Sequence, residues 1–215
     1  MPKLRHPDRR PALRLLFALA ALSALLAVSA SPAGAAPWGA PDEISVPGGS
    51  SSWSQVGIDA GGDATAVWTR SDGLHLLAQA AERPAAGAWG APVDLSGASG
   101  NAESPTVAVD PAGDAVAAWK LRLAGSEAIE TSSKPAGVVW GAPEAVEFGA
   151  AVVETPAVAL DDAGDAVLVW RQGVGGNHVI LATSRPAGGS WASPLAISSS
   201  ALNAEAPDVA MSTDG

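Results

Sequence analysis

Several residue types are absent or scarce in this chain of 215 residues. It has no Cys and no Tyr, and it has only three His. Without Cys it forms no disulfide and no thiolate metal site, so its stability must come from a packed core. Without Tyr it cannot use a Tyr nucleophile, and three His residues leave few options for acid–base catalysis.

Basic residues are also few, and they are placed unevenly. Five of the twelve Lys and Arg residues lie within the first 14 positions, ahead of an apolar run over residues 15–28. The small-residue pattern Ala33-Gly34-Ala35 follows. This order predicts a cleaved signal peptide over residues 1–35, because the run is shorter than the roughly 20 residues that span a bilayer. We therefore expect a secreted or cell-wall-associated bacterial protein with no stable membrane insertion after cleavage.

Without that segment the chain is strongly acidic. Residues 36–215 contain seven basic and 21 acidic residues, which gives a formal net charge of −14. Such a surface repels nucleic acid and anionic lipid, because both are bound through Lys and Arg contacts. Nucleic acid is therefore not an expected partner.

A repeat of 51 residues organises everything after the signal segment. Seven of the eight Trp residues keep this spacing in two sets, Trp38, Trp89, Trp140 and Trp191 in one and Trp68, Trp119 and Trp170 in the other. A period held without insertions marks one supersecondary unit copied along the chain. Residues 36–215 are therefore predicted to form one repeat domain, and only Trp53 stands outside the Trp period.

Each unit is predicted to contain two hairpins. The first has an Asp-x-x-Gly-Asp turn between apolar runs, as over residues 107–119, and its Gly supplies a positive φ. The second turns at a Pro- and Gly-containing element such as residues 185–189. The Trp of the first set then opens the fourth strand. A fourth unit begins at Val209 and is cut off inside its first turn.

The strands of a unit differ in a way that predicts their places. Ala115–Trp119 is apolar throughout, as expected for a strand buried on both faces, whereas Val93–Ser96 alternates with polar residues like an edge strand. Four short strands in 51 residues match a propeller blade. We predict an all-β, β-propeller-like fold of about three and a half repeats in an incomplete ring. We further expect a fragment of a longer protein, the alternative being completion of the ring by association.

The segment Val107-Ala-Val-Asp-Pro-Ala-Gly-Asp-Ala-Val116 resembles the strand–turn–strand core of NHL-like and related bacterial propeller repeats. The whole unit resembles repeats of secreted actinobacterial proteins with Trp-x-x-Pro and Asp-x-x-Gly-Asp elements. This resemblance covers residues 37–215. It implies a repeat architecture and no particular activity, because propellers serve as enzymes, binding proteins and scaffolds.

Four residues are candidates for a ligand-binding face. Glu103, Glu154 and Glu205 recur at the repeat spacing in the links before the first strands, so we expect them on one face near the axis. They could bind a cation or act in acid–base chemistry, or each could make a repeated loop contact. Trp53, in a Gly- and Ser-rich link, is either an exposed aromatic contact or a cap over the first unit.

Other chemistry is not predicted. The paired Asp residues of each turn lack the ligand spacing of a calcium loop and are expected to accept backbone hydrogen bonds. His75 and His178 lack metal-ligand spacing and a nearby nucleophile motif. The absence of Tyr and of a Ser-x-Asp-x-Gly-x-Thr-Trp box argues against a sialidase. We assign no catalytic residue, no metal site and no cofactor.

The near-uniform repeat favours a secreted or cell-wall-associated binding or interaction module, with a glycan or a protein as its ligand. The alternative is the non-catalytic portion of an extracellular glycoside hydrolase-like propeller enzyme. A structural spacer is a third possibility. All three interpretations use the same fold, so only the site can distinguish them.

Overall fold

The computed structural model describes residues 40–149 and 151–215, in which the regular structure consists of strands. The predicted signal peptide and Trp38 lie outside the described residues. No helix in the described part of the chain is long and apolar enough to cross a membrane. Twelve strands form three antiparallel four-stranded sheets, called here blades 1, 2 and 3. The predicted all-β fold of four-stranded, propeller-like blades is confirmed.

The strands follow the repeat closely. Blade 1 consists of β1 Ser51–Ile58, β2 Ala64–Ser71, β3 Leu76–Arg83 and β4 Val93–Asp94. Blade 2 consists of β5 Asn101–Val109, β6 Ala115–Leu123, β7 Ser126–Lys134 and β8 Glu144–Gly149. Blade 3 consists of β9 Val153–Leu160, β10 Ala166–Val174, β11 Asn177–Arg185 and β12 Leu195–Ala196. In every blade each strand pairs with the strand next to it in sequence.

The blades pack face to face, with their first strands innermost. Strand β5 contacts β1, β2 and β3, and β9 contacts β5, β6 and β7 in the same way. Thr106 Oγ1 donates a hydrogen bond of 2.9 Å to Gln55 Oε1, and these two residues occupy equivalent positions in successive repeats. Equivalent side chains of neighbouring blades come into contact only near the axis around which the blades are arranged. The first strands therefore lie next to that axis.

Indole rings fill the junctions between blades. Trp119 is fully buried with Val67 and Ala80 of blade 1, and Trp170 is fully buried with Val116 of blade 2. Trp140 and Trp191 are partly buried and pack against the same two clusters. A buried indole removes a large apolar area from water, so these side chains stabilise the junctions. The packing role predicted for the periodic Trp residues is confirmed for the six that the structure describes.

The Asp-x-x-Gly-Asp turns have the chemistry predicted for them. Gly62, Gly113 and Gly164 have φ of +87°, +95° and +83°. Asp110 Oδ1 accepts the N–H groups of Ala112, Gly113 and Asp114, each at 2.9 Å. The second Asp of each turn accepts an N–H from the other hairpin turn of its blade, as Ala136 donates to Asp114 Oδ1 at 2.6 Å. These carboxylates thus hold the turns in shape.

Two strand boundaries differ from the prediction. The fourth strands begin four residues after the periodic Trp, so that Trp does not open them. A Pro separates each Trp from its strand and has no N–H to donate. Instead, the guanidinium groups of Arg83 and Arg185 stack on Trp89 and Trp191, at 5.8 and 4.7 Å from the ring centroids.

The second difference concerns the fourth unit, because residues 209–215 form no strand. Among residues 40–149 and 151–215, this segment has no antiparallel partner strand. It is attached at its turn, where the Asp162 N–H donates to the Thr213 carbonyl at 3.3 Å. A first strand without a second strand thus remains irregular backbone.

The close approach of the inner strands predicts that Gly57→Ala is destabilising. A Cβ at position 57 would lie 2.5 Å from Val109 Cγ2 of the next blade. We expect a loss of about 1–3 kcal/mol in the free energy of unfolding, measured in urea. Gly97→Ala is the control, because a Cβ there meets nothing within 4 Å. Adding Val109→Ala should recover part of the loss, and strict additivity of the two changes would contradict this account.

Candidate functional site

A bulge interrupts each first strand near its beginning. The pairing register shifts between Ser52 and Gln55 in β1, and at the equivalent places in β5 and β9. One residue of each bulge has left-handed backbone, at the equivalent positions Trp53, Ser104 and Thr155, with φ of 51°, 50° and 48°. Ala206, at the same position of the fourth unit, has φ of 49°. Trp53 therefore occupies a regular position of the repeat although it stands outside the Trp period.

The three recurring Glu residues come directly before these bulges. The expectation that they lie in links is wrong for Glu103 and Glu154, which are inside β5 and β9. In the strand register Glu103 is opposite Lys120, and Glu154 is opposite Arg171. Because Glu103 and Glu154 lie within the paired part of the first strands, their carboxylates are placed beside cations of the second strand of the same blade.

Blade 1 differs at this point. Ser52 occupies the position of Glu103, and Thr69, opposite it in the register, occupies the position of Lys120. The Thr69 hydroxyl donates a hydrogen bond of 3.3 Å to the carbonyl of Ala102, at the start of the next blade. Blade 1 therefore has a neutral pair of hydroxyls where blades 2 and 3 have charged pairs.

Lys120 is the centre of the charged network in blade 2. Its ammonium nitrogen lies 3.2 Å from Glu127 Oε1 and 4.0 Å from both Glu103 Oε2 and Glu154 Oε1. The Lys120 side chain is only 5% exposed. Arg122 adds a hydrogen bond of 2.7 Å to Glu103. One buried cation thus links carboxylates of blades 2 and 3.

The network continues into the fourth unit. Arg171 makes ion pairs with both Glu154 and Glu205. His178 Nδ1 lies 3.2 Å from Glu205 Oε1, and the His178 N–H donates to Asn203 Oδ1 at 2.9 Å. The structure therefore brings together all three recurring carboxylates and His178. Sequence reasoning missed the cations, because Thr69, Lys120 and Arg171 show no common residue type at their shared position.

The pairing limits what this network can do chemically. Each of its carboxylates faces a side chain cation within 4.0 Å. A bound metal ion would have to displace an ammonium or guanidinium group, and the described residues include no group of three or more ligands that could hold a metal. A general acid needs a carboxyl group without such compensation. The geometry favours cohesion between blades and polar contacts to a ligand.

Trp53 differs from the periodic Trp residues in its surroundings. Its side chain is 53% exposed, and it belongs to none of the three core clusters of the described residues. A bulky residue with left-handed backbone is energetically unfavourable, and such residues concentrate at functional sites. The equivalent positions carry Ser, Thr and Ala. These observations favour the exposed contact over the cap.

His75 lies apart from this network. It is in the turn between β2 and β3, where Asp72 Oδ1 accepts the N–H groups of Leu74 and His75, both at 2.7 Å. The hydrogen bond from His75, followed by that from Leu74, lowers the pKa of Asp72. This is an Asx turn at the surface, and it gives His75 a structural setting.

The half-buried carboxylate of Glu130 has a perturbed pKa. Burial raises the pKa of Glu130 above its ordinary 4.5, and a hydrogen bond from Trp119 Nε1, 3.1 Å from Glu130 Oε2, partly opposes the shift. Gln79 occupies the equivalent position in blade 1. Glu130 contacts the indole of its own blade in the core, so we give it a structural role.

No family model matches the chain, and no curated protein matches it. An endo-arabinase from Bacteroides thetaiotaomicron VPI-5482 is similar over 67% of this chain and 61% of its own, with 14% identity and a TM-score of 0.47. A GH93 α-L-arabinofuranosidase of Fusarium graminearum, in complex with arabinobiose, is similar over 67% and 47%, with 10% identity and a TM-score of 0.46.

The chain thus spans less than two thirds of the length of either protein. Likenesses at this level assign no activity, and the NHL-like resemblance stays a prediction.

The burial of Lys120 predicts a large effect of Lys120→Thr. The change removes the shared cation from three carboxylates, which keep only Arg122 or Arg171 as partners, and should cost about 1–3 kcal/mol in the free energy of unfolding. The double variant Glu103→Ser with Lys120→Thr copies the neutral pair of blade 1. In it Arg122 still pairs with Glu127, and Arg171 still pairs with Glu154. It should be clearly more stable than Lys120→Thr alone. Equal urea midpoints for the two variants would refute the role of the network.

Glu130 predicts a pH dependence. Because its folded-state pKa is raised, the folded chain binds more protons than the unfolded chain at pH values just above 4.5. The contribution of Glu130 to stability therefore falls as the pH rises through that window. Glu130→Gln keeps an acceptor for Trp119 and removes the titration. Its unfolding free energy relative to wild type should increase from pH 4 to pH 7, and a difference that is constant with pH would contradict the prediction.

Proposed function

We propose that residues 36–215 form an exported binding module that holds a carbohydrate at the end of the blades where the first strands begin. Export rests on the signal peptide predicted over residues 1–35. The observation that carries the proposal is Trp53, an exposed indole held on a left-handed bulge that is otherwise filled by small residues. The left-handed backbone recurs in every copy, so what sets blade 1 apart is the large exposed aromatic side chain that it carries there.

The chemistry around this end of the blades suits a sugar. An indole face stacks on the apolar face of a sugar ring, and the ring hydroxyls need donors and acceptors beside it. Blade 1 supplies the exposed hydroxyl of Ser52 directly before the Trp53 bulge. At the same end, Arg122 and Glu205 are about half exposed, which leaves them able to bind ligand hydroxyls.

The ion pairs favour binding over catalysis. Glu103 and Glu154, which the sequence suggested for acid–base chemistry, each face a cation in the network. They can accept hydrogen bonds from a ligand while they join the blades. A protein ligand or a contribution to a glycoside hydrolase would use the same face, and both are outcomes of the test.

Trp53→Ala should therefore weaken carbohydrate binding without unfolding the chain. Ala206 already occupies the equivalent position, so the smaller residue fits the backbone there. We expect at least a tenfold loss of affinity, as for truncation of an aromatic anchor. The measurement is binding to a panel of soluble glycans and cell-wall polymers by affinity electrophoresis and calorimetry.

Val139→Ala is the matched control, since Val139 is 82% exposed but lies between β7 and β8, at the opposite end of the blades. It should bind as wild type does. Failure of every glycan to bind, or equal binding by Trp53→Ala and wild type, would refute the proposal. Hydrolysis of a panel member would instead favour the glycoside hydrolase alternative.

A further inference from the structure

Two clefts lie between the blades at the end opposite to the bulges. Cleft 1, of about 190 Å³, lies between blades 1 and 2 and is lined by Glu82 and Lys134 among others. Cleft 2, of about 300 Å³, lies between blades 2 and 3 and is lined by Ser133, Glu144 and Arg185 among others. Lys134 and Arg185 occupy equivalent positions of the repeat, as do Glu82 and Ser133. The clefts can therefore be compared residue by residue.

In cleft 1 the buried cation has a carboxylate partner from the protein itself. Lys134 is 6% exposed, and its ammonium nitrogen lies 2.9 Å from Glu82 Oε2 of the preceding blade. A buried cation is tolerated when a carboxylate compensates it. The pair therefore satisfies both charges inside the cleft.

Cleft 2 has the cation without the carboxylate. Arg185 is 9% exposed, and its guanidinium donates to the Ser133 hydroxyl, which stands where Glu82 stands in cleft 1. Its Nε is buried without a hydrogen-bond partner. Among the described residues no carboxylate oxygen comes within 4.0 Å of this guanidinium. Burial lowers the pKa of Arg185, because nearby negative charge does not fully offset the loss of solvation of the guanidinium.

Two acidic residues line cleft 2, but neither of them forms an ion pair with Arg185 within the described residues. Asp114 accepts the Ala136 N–H at 2.6 Å and so holds a turn. Glu144 opposes the fall in the pKa of Arg185 through its charge, but it is exposed and makes no ion pair with it within the described residues. Neither carboxylate takes the place that Glu82 takes in cleft 1.

We propose that cleft 2 is a binding site for an organic carboxylate, whose anion pairs with Arg185 in the way that Glu82 pairs with Lys134. The planar guanidinium matches a carboxylate, and a charge-assisted hydrogen bond in a poorly solvated cleft is strong. The ring of Trp191, 4.7 Å from the guanidinium, holds it in place from the other side. The volume suits one small group, such as a sugar acid or an acidic side chain.

The experiment is calorimetric titration of the wild-type chain at low ionic strength with sodium glucuronate, sodium acetate, sodium sulfate and glucose. We expect both carboxylates to bind, and glucose and sulfate to bind at least tenfold more weakly. Glucuronate tighter than acetate indicates a sugar acid, and equal affinities indicate recognition of the carboxylate alone. No measurable carboxylate binding, or sulfate binding as tight as acetate, would overturn the proposal.

Repeat-guided variants identify the cleft. Ser133→Glu copies the counter-ion of cleft 1, so it should abolish carboxylate binding and leave the thermal midpoint unchanged or higher. Arg185→Gln should also abolish binding, with circular dichroism confirming the fold. Glu144→Gln should tighten binding, because it removes a competing negative charge. Wild-type affinity in folded Ser133→Glu would overturn the site.

The same titrations separate this site from the Trp53 face. Trp53→Ala should keep carboxylate binding, and Ser133→Glu should keep carbohydrate binding at the bulge end. Glu82→Ser should create a second carboxylate site at Lys134, because it removes the built-in counter-ion of cleft 1. If Trp53→Ala abolished glucuronate binding, the ligand would lie on the Trp53 face and cleft 2 would be excluded.

Discussion

The close approach of successive first strands is the constraint on which the rest of the structure depends. At Gly57 there is no room for a Cβ against Val109 of the next blade, and the equivalent positions are Ala in the other two blades. Blades held this closely bury both faces of their middle strands, which accounts for the small and apolar residues, mostly Ala and Val, that begin β2, β6 and β10. The indole rings then fill the space at the junctions.

Much of the fold could be predicted because repetition averages out local ambiguity. The Gly of each turn, its two Asp residues and the buried middle strands recur three times, and all took the predicted form. The bulges could not be predicted, because Trp, Ser, Thr and Ala share no preference for left-handed backbone. The start of the fourth strands was misjudged for a related reason, since Trp favours strands but here stacks under an Arg.

The candidate sites were less predictable than the fold, and for a different reason. The recurring Glu residues drew attention because they are identical, yet their identity reflects the pairing that joins blades. The informative positions are those where one copy departs from the others, such as Trp53 at a bulge and Ser133 in place of Glu82. A residue that differs from its equivalents can be interpreted only when the structure shows which contacts the equivalent residues make. In a repeat protein, function is to be sought in the exceptions.

The charged network has a consequence for how the chain comes apart. In many repeat arrays each unit has its own stability and adds a nearest-neighbour term, so that end units can fray independently. Here Lys120 and Arg171 each contact carboxylates of two successive units, so separating two neighbouring units also breaks an ion pair between them. Opening one end is thereby penalised in its neighbour, which couples the blades into a single cooperative transition. Such coupling would suppress the partial opening that exposes a chain to proteases.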